Sequence, residues 1–349
     1  MQNKNCQNMT TESKQELLGY QSHSIQKNLK YFKPTKNSTT ATFAEEIRNT
    51  LQHTKKSINP KFFYDESGSK IFDQICLLPE YYPYNAESEI LQKVEQKLLP
   101  YLSDEFHLVE LGSGSSLKTR LLIDVLFKSQ KYLQYFPIDI SEILDQSAKN
   151  LCKDYPNLSV TGVVDTFENG LDFIENYDNT PNLITFLGSS FGNFDKSNGI
   201  KFLKKISSLM KSNDLFLIGL DLKKDQEILH NAYNDSQNIT AKFNLNILKR
   251  INAELGANFN LEKFEHHAIY NEEKGRVEMY LRSLSEQSVI VQKSELSLTL
   301  SKDELIHTEN SHKFSIKQIE SLLQDTNFEK LEIWLDSRKY FALVLAKKL

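Results

Sequence analysis

The chain has 349 residues, 39% of them apolar and 25% charged, enough for one large domain or two interlocked ones with a sizeable core. Its 42 basic and 46 acidic side chains leave a net charge of −4, which excludes the basic footprint of a nucleic-acid binder. No stretch approaches the roughly 18 apolar residues that span a bilayer, and the polar Met1–Thr40 segment lacks the apolar core of a signal peptide. The cytoplasm is the expected location, with no membrane partner.

In chain order, residues 1–25 are rich in Asn, Gln, Ser and Lys and read as a frayed arm. Ala41–His53 carries a helical pattern, Asn59–Tyr64 an irregular aromatic one, and Gly68–Leu78 a helix stopped by Pro79. From Ser88 the pattern becomes regular. Helices are expected at Ser88–Leu99, Thr119–Phe127, Glu142–Asp154 and Ser197–Met210. Strands are expected between them, at His107–Leu111, Leu133–Ile138, Leu158–Val164, Asn182–Leu187 and Leu215–Leu222. Such alternation argues for a parallel sheet covered on both faces.

After Leu222 the alternation stops. Asp225–Asn252 reads as helix broken near Asn234–Asn238, and Arg276–Leu284 and Ser288–Leu300 read as strands, the second bent. Ser315–Leu323 reads as helix, and Leu331–Leu335 and Tyr340–Ala346 as a closing hairpin. An extra domain therefore interrupts the first. Residues 87–222 with 313–349 make one unit, and 26–86 with 223–312 the other.

The segment Val109-Glu110-Leu111-Gly112-Ser113-Gly114 is a strand end followed by a glycine-rich turn and then a helix near Lys118. Glycine lets the backbone turn tightly and approach a ligand. The third glycine of the dinucleotide fingerprint is missing, because Leu117 stands in its place. Glu110, two residues before the first glycine, is the form seen in S-adenosylmethionine enzymes. The second strand ends in Asp139, an acid suited to both ribose hydroxyls, and the third is followed by Asp165-Thr166-Phe167, where an acid meets an adenine amine beside an aromatic ring. Three such tips should face one crevice at the carboxyl ends of the strands and bind an adenosyl group.

The three cysteines, Cys6, Cys76 and Cys152, form no CxxC pair and read as unconnected reduced thiols. His266 and His267 lack a metal-ligand partner at helical spacing, so no metal is expected.

A wider set of residues resembles the histidine Nα-methyltransferases of ergothioneine biosynthesis. It includes Lys61-Phe62-Phe63-Tyr64-Asp65, Gly68-Ser69-Lys70-Ile71-Phe72, Leu78-Pro79-Glu80-Tyr81-Tyr82-Pro83 and Lys118-Thr119-Arg120. It continues through Phe186-Leu187-Gly188-Ser189, Gly192-Asn193, Ala232-Tyr233, Phe243-Asn244 and Phe264-Glu265-His266. It ends with Glu278-Met279-Tyr280-Leu281-Arg282 and Thr308-Glu309 with Ser311, Lys313 and Phe314. The resemblance implies a Rossmann-like class I methyltransferase fold, an α/β sheet that is mostly parallel with a closing antiparallel hairpin, beside a second α+β substrate-binding domain. It implies S-adenosyl-L-methionine as methyl donor, L-histidine as small-molecule partner, hercynine as end product and a monomer.

Roles carry over one position at a time. Tyr81, Gly112, Lys118 and Asp139 would contact the cofactor, and Asp165, Thr166 and Phe167 would hold the adenine. The family usually has an acid directly before the phenylalanine, where this chain has Thr166, so Asp165 is the favoured partner of the amine. Asn193 and Tyr233 would bind the amino-acid end of the substrate. Tyr64 would lie near the reacting amine, as an orienting group first and a base second. Glu309 and Ser311 would recognise the imidazole, with Met279 lining its pocket. A neutral imidazole offers one donor and one acceptor, which suits a carboxylate and a hydroxyl.

Taken singly, these residues have plainer explanations. Most of the 15 tyrosines would be half-buried packing residues, and a methionine on a strand is usually core. Gly192-Asn193 would make a turn, Lys118 would be a first-turn lysine, and Glu309 with Ser311 would be a solvated loop. The rival functions are methylation of another amine, such as a tryptophan derivative, and a non-catalytic adenosyl-binding protein.

Overall fold

A strand buried on both faces needs apolar residues at successive positions, because alternate side chains go to opposite sides of the sheet. The computed structural model describes residues 16–35, 41–102, 105–112, 117–140 and 144–349. It opens with strands β1 (Glu16–Leu17), β2 (Tyr20–Gln26) and β3 (Leu29–Pro34), then helix α1 (Phe43–Leu51) and strand β4 (Lys56–Ser57). Helices α2 (Glu66–Cys76), α3 (Tyr82–Lys93) and α4 (Glu95–Leu98) follow. The alternating region comprises β5 (His107–Leu111), α5 (Leu117–Ser129), β6 (Leu133–Asp139), α6 (Leu144–Asp154), β7 (Leu158–Val164), α7 (Phe167–Glu175), β8 (Asn182–Phe186), α8 (Lys196–Leu209) and β9 (Leu215–Asp221). Then come α9 (Gln226–Tyr233), α10 (Ile239–Leu255), β10 (Phe264–Asn271), β11 (Arg276–Ser283), β12 (Gln287–Val291) and β13 (Leu296–Leu300). The chain closes with β14 (Leu305–His312), α11 (Ile316–Asp325), β15 (Phe328–Leu335) and β16 (Phe341–Lys348).

Ten strands form one sheet in the order β1-β2-β3-β7-β6-β5-β8-β9-β16-β15. Strands β3 to β9 in that order run parallel, and β16 and β15 close it as an antiparallel hairpin. This is the mostly parallel, Rossmann-like sheet with a closing antiparallel hairpin that the sequence leads one to expect. Its two faces are packed by alternate residues of the same strands. Leu108, Leu183, Leu217 and Leu343 join one core cluster, while Val109, Ile184, Ile218 and Val344 join the other. From β5 the chain proceeds outward to β6 and β7, then returns to place β8 on the other side of β5. The order reverses between β5 and β8, and open sheets of this kind bind ligands at that reversal.

A second sheet has the order β10-β11-β14-β4, and β12 and β13 form a separate hairpin. With α1, α2, α9 and α10 this sheet surrounds a third core cluster that includes Phe63, Tyr82, Tyr233, Phe243 and Met279. The two sheets meet where β9 ends: Phe314 N donates to Asp221 O at 2.8 Å, and Leu222 forms a bridge with Phe314.

Three expectations change. Residues 16–34 are not part of a frayed arm, nor of the second unit. They form a hairpin whose strand β3 lies parallel to β7 and extends the large sheet. Polar residues on β2 disguise this, because an edge hairpin needs only one apolar face, here Tyr20 with Phe32 against Phe173 of α7. Ser288–Leu300 is not one bent strand but two, turned through Gln292–Ser294 and Glu295 at φ 46°. The polar stretch holding Glu309 and Ser311 is strand β14, not a loop. The remainder of the arm, residues 1–15, lies outside the described residues.

The hairpin docks through a glycine. Tyr31 sits opposite Gly162 in the β3–β7 register, and a Cβ on Gly162 would run into the Tyr31 ring. Gly162→Val should therefore lift the hairpin off its edge, at a cost of about 1–3 kcal/mol. Limited proteolysis should then cut within residues 16–34 faster than in the parent; an unchanged cleavage rate would contradict this docking.

Candidate active site

The reversal point is lined by two turns in left-handed conformation. Gly112 follows β5 at φ 76°, and Gly188 and Ser189 follow β8 at φ 76° and 59°. Ser189 carries this strained conformation without glycine's freedom, a condition that clusters at functional sites. The rest of the glycine-rich turn, residues 113–116, lies outside the described residues. Below it, the buried Glu110 accepts from Thr119 Oγ1 at 2.8 Å and Tyr135 OH at 2.5 Å, tying β5 to α5 and β6. Burial lifts its carboxyl to about 7 against the pull of those bonds.

Lys118, in the first turn of α5, pairs with Glu87 of α3. Glu87 is fully buried and also accepts from Gly188 N at 2.9 Å. A lysine and a carboxylate thus lock the α5 start to the β8 turn across the crevice. Burial disfavours the Lys118 ammonium, but Glu87 outweighs it and raises its pKa.

On the far side of Gly112, Asp139 ends β6 and its carbonyl accepts from Asp165 N at 3.1 Å. The Asp165 carboxylate is held by Tyr20 OH at 2.8 Å, Thr166 N at 2.7 Å and Asn169 Nδ2 at 3.0 Å. Thr166 caps α7, its hydroxyl accepting from Asn169 N. Phe167 packs edge-on against Phe186, 5.6 Å between ring centres, and a Cβ on Gly112 would lie 3.6 Å from its ring. Asp139, Asp165, Thr166, Phe167 and Gly112 therefore converge at one corner of the crevice.

The opposite wall is aromatic. Asn59 caps a single 3-10 turn over Pro60–Phe63, and Asp65 caps α2 by accepting from Gly68 N at 2.6 Å and Asn246 Nδ2 at 2.8 Å. Tyr64 is pinned at the corner between them. Its ring meets Phe72 and Phe243 edge-on at 5.6 and 5.7 Å, and Tyr81 meets Phe72 and Tyr233 at 6.2 and 6.3 Å. Tyr64 keeps 37% of its surface exposed. Burial pushes its hydroxyl well above the ordinary tyrosine range, and the Glu309 carboxylate pushes the same way.

Strand β14 supplies the floor. Its register with β11 pairs Met279 with Glu309 but Tyr280 with His307, so Thr308 is an extra, bulged residue. A bulge re-aims the side chains beyond it. Past Thr308, the residues Glu309, Ser311 and Lys313 recur every second position, on one side of the extended chain. Ser311 Oγ accepts from Tyr233 OH at 2.7 Å and from Lys313 Nζ at 2.8 Å. Lys313 Nζ also donates to Tyr233 OH at 3.0 Å and Asp221 Oδ2 at 2.7 Å. Asp221 accepts in addition from Tyr82 OH at 2.7 Å and Lys224 Nζ at 2.5 Å. Lys313 and Lys224 hold the Asp221 carboxyl below its usual range despite burial, and Asp221 in turn raises Lys313. Among the described residues Glu309 has no comparable partner: burial lifts it to about 7, and Lys313 only partly offsets that. Asn193 ends the turn Ser190–Asn193, which packs on β14 through Gly192, 3.1 Å from His312 O to a would-be Cβ.

The expected residues thus fall at the strand tips around Gly112, in the aromatic wall and along β14, where Met279, 2% exposed, is the cross-strand neighbour of Glu309. Sequence reasoning assigned no role to Glu87, Asp221 or Lys313. A lysine two residues after Ser311 reads as a solvated charge; only the strand spacing from Glu309 hints that it faces inward. Among the described residues, no cluster of His, Cys, Asp and Glu could hold a metal, and no helix is long and apolar enough to cross a membrane.

A family model described as "Histidine-specific methyltransferase, SAM-dependent" matches residues 43–348. The chain is 36% identical over 304 residues to the histidine N-alpha-methyltransferase of Mycobacterium tuberculosis, covering 87% of this chain and 94% of that protein. It is 32% identical over 297 residues to ergothioneine biosynthesis protein 1 of Schizosaccharomyces pombe, covering 82% of this chain and 38% of that longer protein. It is also 25% identical over 317 residues to the L-tryptophan methyltransferase of Psilocybe serbica, covering 83% and 87%. The chain belongs to the family of histidine-specific, S-adenosylmethionine-dependent methyltransferases.

Proposed function

We propose that this enzyme transfers methyl groups from S-adenosylmethionine to the α-nitrogen of L-histidine, up to the trimethylated betaine hercynine. The observation that carries the reading is the pair Glu309 and Ser311 at the floor of an aromatic cleft. A hydroxyl oxygen has two lone pairs and one proton. Lys313 and Tyr233 occupy both lone pairs of Ser311, so its proton remains to be given. Glu309 can only accept once ionised. One donor and one acceptor, two residues apart on a strand, match the two nitrogens of a neutral imidazole. An indole offers a single N–H and would leave the Ser311 proton unanswered, and unpaired buried groups of this kind discriminate strongly.

The amino-acid end would then meet Asn193, with Tyr233 offering its remaining lone pair to an amine N–H. S-adenosylmethionine supplies an already activated methyl group on a sulfonium, so the protein's task is to hold donor and acceptor in line at near-attack distance. Gly112, Lys118, Asp139, Asp165, Thr166, Phe167 and Tyr81 would hold the donor. The residues fit such a ligand: a carboxylate at the β6 tip suits ribose hydroxyls, and an acid beside Phe167 suits an adenine. Tyr64 orients the amine. Its raised pKa makes it a poor proton acceptor near neutrality, so amine protons leave to solvent. Each added methyl makes the nitrogen larger and keeps it cationic, and the faces of Tyr64, Tyr81 and Tyr233 attract such a charge. Such an enzyme would act as a monomer in the cytoplasm.

Two measurements bear on this reading. Glu309→Ala should weaken histidine binding by about 10- to 100-fold, the value of a hydrogen bond to a charged group, while S-adenosylhomocysteine affinity stays within about twofold. Unchanged histidine affinity in calorimetry would remove the imidazole assignment. Glu309 also has a signature in the ligand-free protein. Its folded pKa of about 7 lies above the unfolded value, so the stability it contributes is complete at low pH and lost as pH rises through 7. Glu309→Gln should therefore melt about 2–4 °C higher than the parent at pH 8, with the gain vanishing near pH 5. An equal or lower melting temperature at pH 8 would contradict the burial of an ionisable Glu309.

A further inference from the structure

The N-terminal hairpin reaches the cofactor corner through one side chain. Tyr20 stands at the start of β2, 8% exposed, and its hydroxyl donates to Asp165 Oδ2 at 2.8 Å. Its ring is braced edge-on by Phe173 of α7 at 5.0 Å, and Phe32 of β3 packs on the same ring of α7 at 4.8 Å. The hairpin and the helix capped by Thr166 therefore hold Tyr20 in place from both sides.

A carboxylate has about four acceptor sites, two on each oxygen. On Asp165, Oδ1 accepts from Thr166 N and Asn169 Nδ2, while among the described residues Oδ2 accepts from Tyr20 alone. One acceptor site remains, on the oxygen that Tyr20 fixes. An exocyclic amine, with two N–H donors, is the group that such a site takes.

We propose that Tyr20 is a positioning residue for adenine recognition, turning Asp165 so that its remaining lone pair meets the 6-amino group of the methyl donor. This rests on the adenosyl-binding reading of the cofactor corner. It makes residues 16–34, which read in sequence as part of a frayed arm and of the second unit and precede the region matched by the family model, a working part of the cofactor site. It also gives the adenine amine an address in a chain that has Thr166 where the family usually has an acid.

The test compares two ligands and two proteins by calorimetry, all with the full chain. The ligands are S-adenosylhomocysteine and its analogue lacking the 6-amino group; the proteins are the parent and Tyr20→Phe, which removes one oxygen. The parent should prefer the amine-bearing ligand by at least tenfold. Tyr20→Phe should lose about tenfold in affinity for S-adenosylhomocysteine and less than twofold for the deamino analogue, so that the preference collapses. Histidine affinity, measured with saturating S-adenosylhomocysteine, should be unchanged. An equal loss for both ligands, with a lowered melting temperature, would show that Tyr20 only supports the fold and would overturn the proposal. So would an unaltered preference. A parent that binds both ligands equally would overturn it by removing Asp165 from amine recognition, and a parent that binds neither would instead remove the adenosyl-site reading beneath it. Should Tyr20→Phe fold poorly, Asn169→Ala offers a second readout. It frees Oδ1 but leaves Tyr20 on Oδ2, so it should retain the preference; loss of that preference would count against Tyr20 as the orienting group.

Discussion

Lys313 carries three ammonium protons into a position 2% exposed, and each needs an acceptor. Asp221, Ser311 and Tyr233 supply them. Those three residues come from three places: the end of the central strand β9, strand β14 of the smaller sheet and the helix α9. The ion pair is thus the joint between the large sheet and the smaller one. Breaking a buried pair by removing one partner typically costs about 3–5 kcal/mol, because the other charge is left without compensation. Against a total stability of about 5–15 kcal/mol that is a large share. The pair is kept because it does something a hydrophobic contact could not: it fixes which way the hydroxyls of Ser311 and Tyr233 face.

The same joint extends to the reversal point of the large sheet. Glu87 lies on α3, the helix that begins at Tyr82, a ligand of Asp221. Glu87 holds both Lys118 and the backbone of Gly188 at the sheet's reversal point. A Cβ on Gly219 of β9 would collide with Glu87, so the strand carries glycine where the carboxylate crosses it. Tyr81, next to Tyr82, faces the aromatic wall. One short helix therefore sets the crevice on one side and the acceptor pocket on the other. Glu309 is the exception in this well-paired interior. Its pKa is raised by burial, and among the described residues it has no partner comparable to those of Asp221.

The central strands were legible because burial on both faces leaves an unmistakable run of apolar residues, as in Leu215–Asp221 and Phe341–Ala346. That Gly112, Asp139 and Asp165 share one corner was legible for a related reason: they stand at strand ends, where the apolar run stops. Strand β14 was not, because its inward face is Glu309, Ser311 and Lys313 rather than aliphatic, and a strand whose burial serves chemistry looks like a loop. The hairpin of β2 and β3 was missed for a different reason. An edge pair needs only a few apolar residues, and Tyr20, Tyr31 and Phe32 are scattered among Ser, Gln and Lys. The roles of Glu87 and Lys313 could not be read at all, because a charge looks solvated until the depth of its surroundings is known.

Selection of a neutral imidazole, with methylation of the amine at the other end of the same molecule, is the function on which every part of the cleft converges. Incubating the purified protein with S-adenosylmethionine and an equimolar panel of amino acids, with mass detection of each product, tests it most directly. Histidine alone should gain one, two and then three methyl groups, each on the α-nitrogen. Methylation of tryptophan or another amino acid with histidine left unchanged would contradict it.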